Sequence, residues 1–549
     1  MKKNFDSILD DLAQYADTIL AHYRDPFHGT PLFADGCDRD SGEPIRWRNQ
    51  SGQDWVVSNL ASQQNLFRFF SGLSALTGDQ TYEQAAQAAI QWHFDHADSS
   101  GLIHWGGHCF IDLQTLSVVG PENKNRVHEL KHHCPFYELM YRTDPSATRR
   151  LIKAIWNTHV HDWEQMGMTR HGDYGLSFED ATFWQKPKTP GLQPLREMAG
   201  LSFVNIGNDL IYSAGMLYCL DGDRDALSWG EFLMQQYVNS RHPETGLGCY
   251  QYNQPRKTGE PPQDESDPQY TFSFWGDRAQ RQFGPEYGDV AREAWVLFKV
   301  DDQALNGPEG IYGDCALAQT QLARLLGDAG QPLLEWTTQG LDAWAHYAYD
   351  GATHEIKPIF ADGKDLTGQR LPRYGYYGPA GTPLTRRALP DHVFLAYVVN
   401  WAVSRSDTLW PVVCQMATNI GLGDWSTEEP AVNLATDNDQ SLMLFAALEM
   451  YRVTGKDAFL SLAETIGINL HRRSFHDGLF LKSPAHRYCR FDDVEPLALL
   501  SLLAAKAGRL HDVPEYRSQG GYIHGDMTLP DGQVKNTMDV KTIYPTLRA

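Results

Sequence analysis

The stretch "SSGLIHW" at residues 99–105 decides how this chain folds. It follows "TYEQAAQAAIQWHFDHA" (81–97), where apolar residues recur at spacings of three and four, the mark of an amphipathic helix. Gly101 accepts the left-handed backbone needed just past a helix end, and Leu102 can then fold back onto that helix. The same grammar returns in "HGTPLF" (28–33), "QMGMTRHG" (165–172), "ETGLGCY" (244–250), "ATHEIKPIF" (352–360, without the glycine), "NIGLGDW" (419–425) and "HDGLFLK" (476–482). Seven such ends, mostly 57 to 79 residues apart, predict stacked helical hairpins. Strand-like alternation is scarce, and no Pro/Ser-rich linker or charge run marks a boundary. The expectation is therefore an all-α protein, a single domain over 1–549 built as an (α/α)7 toroid. Loops at one end of its central funnel would form the site. The long interval from 250 to 352, with "NQPRKTGEPPQDESDPQ", reads as an insertion at the funnel mouth.

Charge narrows the function. Lys plus Arg number 47 against 69 Asp plus Glu, a formal charge of −22. A field of that sign repels nucleic acid, so an anionic ligand needs a local cationic site, either a metal or clustered Arg. Eight cysteines without a C-x-x-C pair suggest free thiols in a reducing compartment, and the first twenty residues lack the apolar core of a signal peptide. The expected location is cytoplasmic. The most apolar windows, "VFLAYVVNWAV" and "LALLSLLAA", are too short to span a bilayer, and no protein partner is evident.

Eight of the 21 histidines fall between 104 and 171. Two turn motifs carry unusual residues: "GLIHWGGHCF" brings His104 and His108, and "GMTRHGDYG" brings Arg170 and His171. Between them lies "HELKHH", in which His128, Glu129 and His132 spell the H-E-x-x-H signature of zinc proteases. Pro135 follows His132 by three residues, so this motif is expected at a helix end instead of mid-helix, and no third ligand follows at the metzincin spacing.

"GGHCF", "HELK" and above all "TRHGDYG" resemble the family 2 polysaccharide lyases, bacterial pectate lyases with a seven-hairpin helical toroid, and "FWGDRAQRQFGPEYGDVAREAW" extends the likeness along the chain. The resemblance implies metal ligation by His108, Glu129 and His171, with Arg170 as the Brønsted base; His104 and His133 are alternative ligands. It implies a divalent transition ion, manganese before cobalt or nickel, and a substrate of polygalacturonate or its oligomers cleaved by β-elimination to 4,5-unsaturated products. Without a signal peptide the chain would meet imported oligomers, so exo action with disaccharide release is expected. Trp275, Arg278, Arg281 and Tyr287, in one loop, suit uronate subsites, with Arg as a bidentate carboxylate partner.

The ligand chemistry agrees. Removing the C5 proton beside a uronate carboxylate develops enolate-like charge, which a bound dication stabilises. The first rival is an inverting glycoside hydrolase acting on uronic-acid oligosaccharides, for which Asp173, Glu179, Asp180 and Asp424 offer carboxylates. The second is a helical-repeat binding module without catalysis.

Overall fold

The computed structural model describes residues 5–120, 127–176, 183–189, 196–198, 202–255, 282–283, 310–374 and 377–548. The chain is mainly helical, with short strands in small ladders of two to four. It divides into two compact units, one of residues 1–158, 171–180 and 434–549, the other of 159–170 and 181–433.

In the first unit, Gln64–Thr77 pairs with Thr81–Asp95, and Ser441–Thr454 with Asp457–Ser474. Glu495–Lys506 packs against all of these except Thr81–Asp95. Its sequence "EPLALLSLLAAK" is apolar nearly all round, as a helix enclosed by others must be. Leu497, Leu499, Leu500 and Leu502 are fully buried, each worth roughly 1.5–3 kcal/mol relative to exposure. A four-stranded antiparallel ladder, in spatial order Arg46–Arg48, Asp54–Ser58, Phe110–Asp112 and Ser117–Val119, stands beside these helices in the chain. Trp47, Trp55, Val57 and Phe110 from this ladder form one apolar cluster with Ile523, Met527, Ile543 and Tyr544. That cluster joins the C-terminal hairpin, His524–Thr528 with Val534–Met538, to the ladder that leads into residues 104–109.

Among its described residues the second unit holds three pairs: Val204–Asp221 with Arg224–Asn239, Ala316–Leu326 with Gln331–Ala348, and Asp391–Ser404 with Leu409–Asn419. The first helix of each packs on the first helix of the next. Asp391–Ser404 contains "VFLAYVVNWAV", so that apolar window is a buried core helix, as its length requires.

Two kinds of turn alternate, and this refines the expected helix ends. Four of the five first helices named stop at a left-handed cap, at Gly78, Gly222, Gly455 and, with a side chain, Arg405, while Ala316–Leu326 ends at Gly327 with φ 58° and ψ −129°. Second helices instead run into a tight extended turn whose tip is left-handed, at Gly101, Gly246, Gly421 and Gly478. The glycines of the quoted motifs are thus turn tips a few residues beyond the helix, not the caps themselves. Where "ATHEIKPIF" lacks the glycine, His354 takes the position, and in "QMGMTRHG" Met166 does. The apolar residue behind each tip is buried, as expected: Leu102, Met168, Leu247, Ile356 and Leu422 are fully enclosed.

Candidate metal centre

Strand Val127–Glu129 pairs antiparallel with His171–Asp173, and the register sets Glu129 directly opposite His171. Directly opposed residues project to the same face of a ladder, so carboxylate and imidazole meet. His128 alternates to the other face and lies opposite Gly172. There it is fully buried and accepts a hydrogen bond at Nε2 from the Trp105 indole. The H-E-x-x-H motif is therefore on a strand and the turn after it, which corrects the expected helix end. His132 sits in that turn with φ of 60°, and the next helix, Tyr137–Thr143, begins after Pro135. The spacing that would align His128 and His132 on a helix has no such meaning on this backbone.

His108 arrives from a loop held at both ends. Asn59 donates from Nδ2 to the Gly106 carbonyl (2.9 Å) and accepts from the Gly106 amide (3.1 Å). The His524 amide donates to the Gly107 carbonyl (2.8 Å), and the His524 carbonyl lies 2.8 Å from His108 Nδ1. A carbonyl only accepts, so Nδ1 carries the proton and Nε2 keeps its lone pair. That lone pair is fully buried, has no hydrogen-bond partner, and lies 3.4 Å from Glu129 Oε1. His171 Nε2 is 3.5 Å from the same oxygen, and the two imidazole centres are 5.1 Å apart. One ligand atom from each of the three residues falls within 4.8 Å of the others; among the described residues no other group of three His, Cys, Asp or Glu does so.

The site is built around a missing side chain. A Cβ at Gly107 would lie 2.1 Å from Glu129 Oε2 and 2.8 Å from Lys131 Nζ. Burial alone pushes the Glu129 carboxyl up, but the Lys131 ammonium beside it holds it well below the usual carboxylate range. Glu129 is thus ionised, and two imidazoles, a carboxylate and an orphaned buried nitrogen fit a divalent transition ion.

The alternative ligands are used otherwise. The His104 ring lies 4.6 Å from that of Tyr174, whose hydroxyl donates to the Ile103 carbonyl (3.1 Å), and His133 Nε2 is 3.2 Å from the Glu129 carbonyl oxygen. Asp98 ties the two motif turns together, accepting from the amides of Ser100 and Gly175 at 2.8 Å each. Arg170 is half-buried and immediately precedes the His171 strand. Trp275, Arg278, Arg281 and Tyr287 lie outside the described residues, as do Glu179 and Asp180. Asp424 is exposed and accepts from the amide and hydroxyl of Ser426. Sequence reasoning missed Asn59, Lys131, Tyr522 and His524; only Lys131, inside the quoted "HELK", offered a signal.

A family model described as periplasmic pectate lyase matches residues 30–526. A pectate disaccharide-lyase of Dickeya dadantii (strain 3937) is 36% identical over 545 residues, 98% of this chain and 95% of that one. Among solved structures, a sugar epimerase from a ruminal bacterium aligns with a TM-score of 0.40 at 11% identity, covering 83% of this chain and 98% of the other. An α-mannanase of glycoside hydrolase family 76 from Bacteroides thetaiotaomicron aligns at 0.41 and 8%, covering 93% and 98%.

Proposed function

Given that the chain belongs to the periplasmic pectate lyase family, we propose that it cleaves α-1,4-linked polygalacturonate by β-elimination, acting from a chain end to release unsaturated disaccharides. It is a polysaccharide lyase. The observation that carries the site reading is the convergence of His108, Glu129 and His171 around one buried carboxylate oxygen.

In the reaction the C5 proton leaves, its electron pair forms the C4–C5 double bond, and the C4–O bond breaks as the departing oxygen takes up a proton from solvent. His108, Glu129 and His171 would hold a divalent transition ion, which would supply Lewis acidity toward the uronate carboxylate; their two imidazoles favour manganese, cobalt or nickel over calcium, which prefers an all-oxygen shell. Arg170, next to the ligand His171, accepts the C5 proton; a very strong base suits a very weak carbon acid. Trp275, Arg278, Arg281 and Tyr287 hold neighbouring uronates. Asn59 and His524 fix the loop so that the His108 lone pair is already aimed.

A cytoplasmic location is part of this reading and draws support from eight free cysteines, seven of them buried. Among the described residues no helix is long and apolar enough to cross a membrane. The test is the short-wavelength ultraviolet absorbance of the unsaturated uronide in digests of polygalacturonate, with and without chelator. Expected are unsaturated dimers, lost with chelator and restored by manganese, cobalt or nickel better than by calcium. Saturated products would refute elimination, and full activity after metal stripping would refute the metal centre.

A further inference from the structure

Lys131 stands two residues beyond Glu129, and its Nζ is 2.9 Å from Glu129 Oε1, the same oxygen that faces both imidazoles. Its side chain is 5% exposed. The ammonium lies over the Tyr522 ring, 4.4 Å from the centroid, and it occupies space that a Cβ on Gly107 would invade. A surface lysine would be mobile and screened by salt, but this one is fixed and enclosed, so its charge acts at nearly full strength on its neighbours. An ammonium on an oxygen that also ligates a dication acts in two opposed ways. It orients and satisfies the carboxylate, and it repels the second cation.

We propose that Lys131 is a positioning residue that sets the strength of the metal centre, compensating Glu129 when the metal is away and weakening the metal's hold when it is present. The proposal rests on the assignment of His108, Glu129 and His171 as ligands. It makes the site an exchangeable one, whose ion is held less tightly than two imidazoles and a buried carboxylate would hold it unaided. Tyr522 belongs to the device, because its ring face accepts the ammonium where water cannot.

The test is calorimetric titration of manganese into the metal-free full-length protein, with thermal unfolding recorded with and without the metal. Wild type is expected to bind and H108A to lose binding. K131Q is expected to bind at least about tenfold more tightly, because a like charge has gone. Metal-free K131Q should unfold at a lower temperature than metal-free wild type, and saturating manganese should close most of that gap. K131R, which keeps the charge, should stay within about threefold of wild type in affinity. Equal or weaker binding by K131Q overturns the proposal, as does a K131R that behaves like K131Q. K131M, neutral and of similar length, gives the same reading should K131Q not fold. If neither wild type nor K131Q takes up manganese, the ligand assignment itself is wrong, an outcome distinct from tight wild-type binding that Lys131 does not influence.

Discussion

Replacing Gly107 by Ala tests the site without replacing a ligand. Gly107 is not among the glycines with positive φ, so alanine suits its backbone, and the whole effect comes from one methyl group. That methyl would start 2.1 Å from Glu129 Oε2, and the contact must open by about 0.9 Å to reach the 3.0 Å below which such contacts are essentially never found. The loop cannot easily give way, because Asn59 holds Gly106 and the His524 amide holds the Gly107 carbonyl. The carboxylate must move instead, toward or past the imidazoles. Ligand distances tolerate only about 0.2 Å, and a misplacement near 1 Å costs roughly 100-fold in a positioned site. G107A is therefore expected to bind manganese about 100-fold more weakly and to lose lyase activity in proportion at limiting metal. Calorimetry measures the first and product absorbance the second. A G107A protein that is folded by circular dichroism and binds manganese within about threefold of wild type would refute the reasoning.

Glu129→Gln should weaken metal binding roughly 10- to 100-fold, since a neutral amide is a poor partner for a dication, whereas His128→Ala should keep the metal; the reverse pattern in metal analysis would restore the protease motif as the site. Arg170→Lys should retain metal yet lose about 10²- to 10⁴-fold in kcat, with near-normal metal content separating loss of the base from loss of the site. Asp492 supplies a pH dependence: burial lifts its carboxyl, Arg490 and the amides of Asn65 and Leu66 pull it back, and it rests at about 7. A folded value above the unfolded one adds stability at low pH that is lost as pH rises through 7, so wild type should lose on the order of 1 kcal/mol between pH 6 and 8 from this group. Asp492→Asn should flatten that part of the stability profile in denaturant titrations, and an unchanged slope would assign it to other groups.

Helix identity was legible because apolar spacing is a local property of the chain, and so were the buried residues behind each turn, such as Leu102 and Leu247. The two turn classes were not separable, since a glycine serves a helix cap and a hairpin tip by the same conformational freedom. The ligands were named from motif resemblance, and the structure brings His108, Glu129 and His171 together. What escaped was the backbone beneath "HELK": a spacing of four carries meaning only on a helix, and here the residues lie on a strand. Asn59, Tyr522 and His524 escaped for another reason. Their roles depend on contacts with distant residues, which no periodicity encodes.

The hydrogen bond from His108 to the carbonyl of His524 bridges 416 positions. During synthesis the first histidine leaves the ribosome long before its partner is made, so the imidazole cannot be oriented while the chain is still growing. Metal capture in the mature geometry therefore marks a chain translated past residue 524, and a product truncated before that residue would carry all three ligands yet lack the contact that aims one of them.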